Sequence, residues 1–392
     1  MKRSLYLIAG LMIACMSATA QDASSPKFTV KPTGRILMDG AAYIGGNGDY
    51  DAETYSADKK FVSGVAIPDF RLGVKASYGK WSAKVDAGFA YAKVNLKDVF
   101  IQYTFDEFNL VKAGYFVPQF GLNSETSSSM KTSYEEPTSN EFFNANPRLL
   151  GISYVFSKNQ YFAAVTAFAE ANAMKENATE MDKQAWGAET RLVWRPNHSD
   201  GNGLQIGCSF NYSTPTEDNH TAFVYTSNFP SRVSKVNLLT ADITHARGMF
   251  KMSPEFLLIK DRFAFESQYY FMNVTRKDGL HHYRAHGAYG LFRTLLIGDR
   301  YGYNMGDCGM ATPAPNSFEL VLGYNYTNAS CSRAGIYGGI SNDINCTLNY
   351  YINKYMLARL RYSYTNVRDR RVEGMMPDRH VNTIEARLQV IF

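Results

Sequence analysis

The sequence of 392 residues predicts an all-β fold, namely a transmembrane antiparallel β-barrel with about 16 strands. Three observations carry this prediction. Apolar and polar residues alternate along many segments, aromatic residues recur at the ends of these segments, and short connections tend to alternate with long polar ones. An apolar amino-terminal segment that reads as an export signal places such a chain in a cell envelope.

The alternation has a period of two residues, which is the spacing of side chains on one face of a β-strand. In the clearest example the apolar face consists of Leu204, Ile206, Cys208, Phe210 and Tyr212. The last strand alternates in the same way and ends on an aromatic residue, Phe392. Either a soluble β-sandwich or a membrane barrel with a wet lumen gives one apolar and one polar face, so alternation alone does not separate them.

Aromatic residues and connection lengths favour the membrane barrel. Aromatic side chains mark the strand ends on the apolar face, as in the girdles of membrane barrels: Tyr78, Trp81, Tyr154, Trp186, Trp194, Tyr212, Tyr364 and Phe392. Tight turns such as Gly79-Lys80 and Lys158-Asn159 alternate with long polar segments, the longest at residues 118–147. This matches short periplasmic turns and long outer loops.

The predicted strands lie near residues 34–43, 69–78, 81–90, 95–105, 109–117, 148–156, 161–169, 186–195, 204–213, 237–250, 255–273, 288–298, 317–327, 336–352, 355–367 and 380–392. Pairing of the last strand with the first would close the sheet and satisfy the backbone groups of both edges in lipid. Residues 299–316 do not fit this scheme, because they run long where a short turn is expected. The fourth strand also changes phase near Lys97-Asp98.

Residues 1–20 predict a signal peptide that is cleaved after Ala20. A positive start and the apolar run of residues 5–14 precede the small-residue cleavage site. A lipoprotein signal cut before Cys15 is an alternative. The barrel domain then spans residues 21–392, and its cysteines are Cys208, Cys308, Cys331 and Cys346. Their even number in an oxidising compartment is compatible with a disulfide and equally with free thiols on apolar strand faces.

Composition excludes several classes of protein. Aromatic residues make up 14% of the chain and charged residues 20%, which argues against low-complexity disorder. The chain lacks an apolar run of about 20 residues, the length that a membrane-spanning helix needs. The net charge of +5 is nearly balanced and predicts no nucleic-acid partner. The sequence has no Gly-rich phosphate-binding loop and no paired-cysteine zinc pattern, so we expect neither a cofactor nor a bound metal.

Three segments carry a resemblance to a known family. They are residues 80–103, residues 113–125 with Gly114-Tyr115-Phe116-Val117-Pro118 and Phe120-Gly121-Leu122, and residues 146–152. In order and spacing they resemble the phosphate-selective porin O and P family of Gram-negative outer-membrane porins, although Gln119 is inserted before Phe120 and Asn123-Ser124 before Glu125. The resemblance implies a 16-stranded, homotrimeric barrel in the Gram-negative outer membrane. It also implies that the third loop, here residues 118–147, folds inward as a constriction.

A porin acts through the charged side chains that line its water-filled passage. The basic candidates on the polar strand faces are Arg71, Lys75, Lys84, Arg191, Arg359, Arg361 and Arg387. The candidates in the constriction loop are Glu125, Lys131, Glu135, Glu136 and Arg148. The basic residues either guide anions or form salt bridges that rigidify the wall. Because the loop leans acidic, we expect passive diffusion of small hydrophilic solutes, with anions such as phosphate among the candidates.

The expected partners are the lipid bilayer, small solutes or anions, further copies in a homotrimer, and the outer-membrane assembly machinery, which would read Phe392. Three alternatives remain at this stage: an adhesin or binding barrel, a lipid-modifying barrel enzyme, and a soluble secreted β-protein. The enzyme would need a serine and a histidine near the outer rim, and His245 and His380 lack a patterned serine. The sequence therefore predicts a channel and not an enzyme.

Overall fold

The structure, a computed structural model, describes residues 26–47, 59–127, 130–133, 136–144, 148–169, 185–215, 222–371 and 378–392. Within these residues, sixteen antiparallel strands form one closed barrel. The last strand pairs with the first, from Arg35 opposite Ile391 to Ile44 opposite Asn382, and this pairing closes the sheet. The predicted fold class is confirmed. The predicted signal peptide and its cleavage site at Ala20 lie outside the described residues.

The barrel strands follow each other around the wall in chain order. The first eight are β1 (Thr29–Ile44), β2 (Gly64–Tyr78), β3 (Trp81–Gly88), β4 (Asn95–Thr104), β5 (Asn109–Phe116), β6 (Leu149–Lys158), β7 (Tyr161–Ala169) and β8 (Ala185–Ser199). The chain then continues through β9 (Asn202–Pro215), a hairpin of β10 (Ala222–Asn228) and β11 (Asn237–Thr244), β12 (Ala246–Lys260), β13 (Phe263–Arg276) and β14 (Tyr283–Ile297). A small hairpin of β15 (Tyr303–Asn304) and β16 (Gly309–Met310) precedes β17 (Ser317–Cys331), β18 (Ile336–Tyr351), β19 (Met356–Arg370) and β20 (Arg379–Ile391).

Two short helices interrupt the connection between β5 and β6: α1 (Leu122–Glu125) and α2 (Thr138–Phe143). Two 3₁₀ turns, Ala90–Ala92 and Ser332–Ala334, lie in other connections. None of the described helices has the length and apolar character that a membrane-spanning helix requires.

The barrel is apolar outside and polar inside. Along β9, Ile206 and Tyr212 are exposed, whereas Gln205, Ser209 and Asn211 on the opposite face are buried. A soluble sandwich would bury the apolar face and expose the polar one. The observed arrangement is that of a membrane barrel, in which lipid covers the apolar face.

The predicted boundaries of two strands are wrong, although the predicted number is right. The segment 237–250 covers β11 of the loop hairpin and only the start of β12, and the segment 255–273 spans the turn between β12 and β13. Pro254 explains the false break, because proline normally marks a strand edge. In the structure it pairs opposite Cys208 of β9, and the β12–β13 register is interrupted between Met252 and Glu255. The strand therefore continues through a proline whose missing N–H falls in a gap of the ladder.

The segment at residues 298–316 connects β14 and β17 at the end of the barrel where the other turns are short. It enters the barrel: the Tyr301 hydroxyl donates to Glu319 Oε1 at 2.8 Å and the Tyr303 hydroxyl to Gln205 Oε1 at 2.5 Å. This segment is longer than a turn because part of it fills the lumen. The phase change predicted near Lys97 corresponds to a register shift between β3 and β4.

Candidate pore and its charged walls

The long connection between β5 and β6 lies inside the barrel. We call its described residues 117–127, 130–133 and 136–144 the inner loop. Gly121 N donates to Ser209 Oγ of β9 at 2.8 Å, the Lys251 ammonium of β12 to the Phe143 carbonyl oxygen at 2.9 Å, and Ser133 Oγ to Glu385 Oε2 of β20 at 2.7 Å. Since these strands lie on different sides of the barrel, the inner loop crosses the lumen.

Aromatic packing and one glycine fix the inner loop against the wall. Phe142 and Phe143 of α2 are fully buried, and the Phe143 ring stacks on Tyr270 of β13 with centroids 5.2 Å apart. Such contacts bury a large apolar area and fix the orientation of a short helix. Gly121 has a φ of +78°, and a Cβ there would lie 1.7 Å from Gln268 Nε2. Only glycine permits this approach to the wall.

Four of the predicted basic residues lie buried between the inner loop and the wall. The Arg191 guanidinium contacts Glu255 at 2.7 Å and donates to the Cys308 carbonyl oxygen at 2.9 Å. The Arg361 guanidinium contacts Glu136 of the inner loop at 2.6 Å and Asp343 of β18 at 3.3 Å.

The other two buried basic residues are Arg359 and Arg387. Arg387 pairs with Asp39 across the barrel seam at 2.6 Å. Arg359 donates to Asn349 Oδ1 at 2.6 Å and to the Lys131 carbonyl oxygen. All four arginines therefore hold lumen segments and strands together.

A large cavity, of about 930 Å³, lies between the inner loop and strands β1 to β5. Among the described lining residues, eight are basic: Arg35, Arg71, Lys84, Lys97, Lys112, Lys131, Arg148 and Arg232. Five are acidic: Asp86, Asp98, Glu136, Glu141 and Asp307. This wall thus carries an excess of positive charge. We call it the basic wall.

Carboxylates hold the cations of the basic wall in clusters. Asp98 lies between Lys84 at 3.1 Å and Arg148 at 2.8 Å. Asp69 lies between Arg35 and Arg71, with the Arg71 contact at 2.9 Å. Lys84 also contacts Asp86 at 2.7 Å, so the Asp98 cluster contains two cations and two carboxylates. In the Asp69 cluster one carboxylate faces two cations, and the local charge remains positive.

The predicted candidates therefore separate into groups. Arg71, Lys84, Lys131 and Arg148 line the large cavity, whereas Arg191, Arg359, Arg361 and Arg387 are buried. Lys75 is an exposed residue of β2, opposite Lys84 on β3. Glu136 is buried, Glu125 ends α1 without a described side chain, and Glu135 lies outside the described residues.

Sequence reasoning missed Arg35, Lys97, Lys112 and Arg232 on the basic wall. Arg35 lies directly opposite Arg71 in the β1–β2 register, so its place on the polar face was readable from the alternation. The phase change of β4 obscured Lys97.

Among the described residues, neither a disulfide nor a cluster of possible metal ligands adds a further site. Cys208, Cys308, Cys331 and Cys346 are free thiols. In the part of the chain that the structure describes, no three His, Cys, Asp or Glu side chains are grouped to hold a metal ion.

Solved structures share this fold at low sequence identity. The chain is similar to the outer-membrane protein OmpT of Vibrio cholerae, with a TM-score of 0.58, 11% identity, and coverage of 95% of this chain and 99% of that one. It is also similar to an anion-selective porin from Comamonas acidovorans, with a TM-score of 0.58, 11% identity, and coverage of 93% and 100%. A third similar structure is the outer-membrane channel DcaP of Acinetobacter baumannii, with a TM-score of 0.55, 11% identity, and coverage of 96% of this chain and 100% of that one.

A search of curated proteins found no match. The family model described as phosphate-selective porin O and P matches residues 42–392, which is most of the chain. With the closed 16-stranded barrel and its apolar outer face, this match places the protein in the Gram-negative outer membrane as a passive channel. The chain belongs to the phosphate-selective porin O and P family.

Proposed function

We propose that the protein is a porin that passes small hydrophilic solutes with a preference for anions, and that the basic wall sets this preference. The observation that carries the proposal is the excess of basic over acidic residues around the large cavity. Charged side chains that line a narrow wet passage set the selectivity of a channel. The inner loop, which crosses the lumen, forces solutes to pass close to this wall and so acts as the constriction.

The clusters of the basic wall suit transient anion contacts. Asp69 orients Arg35 and Arg71 and neutralises only one of these two charges. Asp98, together with Asp86, fixes the orientation of Lys84 and Arg148. An anion that enters this cavity meets positioned donors, which need little reorganisation to receive it. The buried arginines 191, 359, 361 and 387 have a positioning role in this proposal, because they hold the inner loop and the wall in place.

The test of this proposal is the reversal potential of the refolded protein in a planar bilayer under a KCl gradient. We expect an anion-selective potential for the unmodified protein. Arg71→Gln combined with Lys97→Gln should lower the chloride-to-potassium permeability ratio by roughly two- to threefold per charge, because a unit charge about 14 Å away in water changes the energies of the two ions by ~0.3 kcal/mol each in opposite directions.

The matched control removes two positive charges outside the lumen. Arg284→Gln combined with Arg333→Gln changes exposed residues that do not line the large cavity. We expect this control to leave the reversal potential unchanged. A cation-selective potential in the unmodified protein, or the same shift in both double variants, would contradict the role of the basic wall.

We also propose that the protein forms a homotrimer and has no enzymatic activity. The Vibrio cholerae OmpT relative is described in a trimer form, and three equal current steps in the same recordings would support a trimer here. His245 contacts Asp278 at 3.8 Å, and both side chains are exposed. Among the described residues no serine hydroxyl bonds to His245 or His380, so the rim lacks the pairing that a lipid-modifying hydrolase needs.

A further inference from the structure

A second cavity, of about 260 Å³, lies on the other side of the inner loop from the basic wall. It is bounded by the lumen-facing residues of β7, β8, β9 and β12 and by β10 of the loop hairpin. Aromatic rings form much of its lining: Phe120, Phe143, Phe168, Phe223 and Tyr225. Small-molecule sites have this composition, with apolar and aromatic walls and a few convergent polar groups.

Three polar side chains of this cavity have an atom without a hydrogen-bond partner. They are Oε1 of Glu189, Oδ1 of Asn211 and the hydroxyl oxygen of Ser213. These residues are 5%, 2% and 0% exposed. Buried polar atoms in proteins are normally paired, so three adjacent exceptions in one cavity point to a ligand.

The orphan atoms define what such a ligand must offer. The other Glu189 oxygen accepts from Asn211 Nδ2 at 2.8 Å, which fixes the Asn211 side-chain oxygen as the group without a partner. Glu189 Oε1 and Asn211 Oδ1 are acceptors, and each requires a donor hydrogen from the ligand. An anion without hydrogen, such as chloride, has none to give.

Two lysines line this cavity, Lys131 and Lys251, and Lys131 also lines the large cavity. The Lys251 ammonium donates to the Phe143 carbonyl oxygen at 2.9 Å and lies over the Phe120 ring, 5.1 Å from its centroid. It is also 5.9 Å from the centroid of the Tyr225 ring. Lys251 therefore disfavours a cationic ligand, and its ammonium group is directed at a carbonyl oxygen and at two aromatic rings.

We infer that this cavity binds a neutral, polyhydroxylated solute of monosaccharide size. Its hydroxyls would donate to Glu189 and Asn211 and exchange a hydrogen bond with Ser213, and the apolar face of its ring would lie against the aromatic walls. The inference rests on the proposed channel only for access to the lumen. Binding itself is measurable without any ion current.

The probe is D-glucose, and the measurement is saturation-transfer difference NMR on the refolded full chain in detergent. We expect saturable binding to the unmodified protein. Asn211→Ala and Ser213→Ala should each weaken it by about three- to tenfold, the loss of one hydrogen bond. The matched control is Ser363→Ala, which removes another buried hydroxyl without a partner, on β19 and away from the cavity.

Heat-modifiable migration on gels establishes that each variant is folded. Absence of saturable glucose binding in the unmodified protein would overturn the inference, as would equal weakening by Ser213→Ala and Ser363→Ala. Binding of inorganic phosphate that depends on Asn211 and Ser213, with no binding of glucose, would also overturn it. Conduction without glucose binding refutes this site alone, and glucose binding without conduction refutes the channel alone.

Discussion

At the scale of the residue, the same arginine side chain has two different environments in this lumen. Arg71 borders the large cavity beside Asp69, whereas Arg191 has no exposed surface and is enclosed by Glu255, Gln119 and the Cys308 carbonyl oxygen. A buried ion pair adds little net stability compared with apolar packing, but the loss of one partner leaves a charge without compensation. The two environments therefore predict different effects of mutation.

Replacement of Arg191 tests the buried environment. Arg191→Ala removes the cation that faces Glu255 and leaves this carboxylate with the Gln205 amide, at 2.7 Å. We expect the free energy of unfolding to fall by about 3–5 kcal/mol. The measurement is urea-induced unfolding of the refolded barrel in lipid vesicles, followed by tryptophan fluorescence.

An exposed ion pair provides the control for Arg191. Arg300 pairs with Asp299 at 3.2 Å, and both side chains are more than half exposed. Arg300→Ala should change the free energy of unfolding by at most about 1 kcal/mol. Similar losses for both variants would contradict the structural role of the Arg191–Glu255 pair.

The sequence predicted the face of these residues but not their environment. Period-two alternation places Arg71, Arg191 and Arg361 alike on the polar face of a strand. Whether such a residue borders open water depends on what crosses the lumen in front of it. Glu136 and Cys308 come from segments far along the chain, and their contacts with Arg361 and Arg191 have no periodic signal.

At the scale of the element, the inner loop is held by charge as well as by aromatic packing. Glu136 faces Arg361 of β19, Asp343 of β18 and Glu385 of β20. Burial and the nearby Asp343 carboxylate raise the pKa of Glu136 well above its usual range, against the opposing effect of Arg361. The docked loop thus takes up a proton more readily than an exposed glutamate does.

This pKa shift predicts that docking of the inner loop weakens as the pH rises. A raised folded-state pKa stabilises the docked state at pH values below the ordinary pKa of glutamate, and the contribution is lost as the pH rises through the raised pKa. We expect the amides of α2 to exchange with deuterium faster at high pH, after correction for the intrinsic pH dependence of exchange. In the Glu136→Gln variant, most of this additional increase in the exchange rate with pH should be absent.

The control for Glu136 is Glu107→Gln, in an exposed turn at the other end of the wall. It should leave the exchange profile of α2 unchanged. Protection of α2 that does not vary with pH in the unmodified protein would show that Glu136 does not titrate in this way.

The elements that escaped sequence prediction are those that do not span the membrane. β11 alternates like a barrel strand, yet it belongs to a hairpin inside the barrel. Its Leu238 and Ile243 are buried in the same apolar cluster as Phe143 of the inner loop. The hairpin β15–β16 is too short for a periodic pattern. Barrel strands are predictable because lipid and water select opposite residue types on their two faces, a constraint that segments within the lumen do not have.

At the scale of the whole molecule, the inner loop divides the lumen into unlike halves. The half next to β1–β5 is lined by more cations than carboxylates, and the half next to β7–β12 by aromatic rings, Lys251 and the acceptor groups of Glu189 and Asn211. A charged and a neutral solute would therefore contact different walls. Ion selectivity and glucose binding therefore depend on different residues of the lumen.

Closure of the barrel depends on the two ends of the chain. Phe392 N donates to Gly34 O at 3.0 Å, and Gly34 N donates to Phe392 O at 2.8 Å, just beyond the ladder between β1 and β20. The Phe392 ring is 51% exposed. An exposed ring beyond a long ladder adds little to closure, which agrees with our proposal that the assembly machinery reads it.

Deletion of Phe392 should consequently affect assembly more than stability. We expect the deleted protein to refold in detergent with unchanged conductance, because the pairing from Arg35 to Ile44 remains. In cells, the amount of heat-modifiable barrel in the outer membrane should fall severalfold. The control is Tyr355→Ala, which removes another exposed aromatic residue from a short turn at the same end of the barrel. Equal amounts of the two variants in the outer membrane would show that Phe392 acts only as an aromatic residue of the rim.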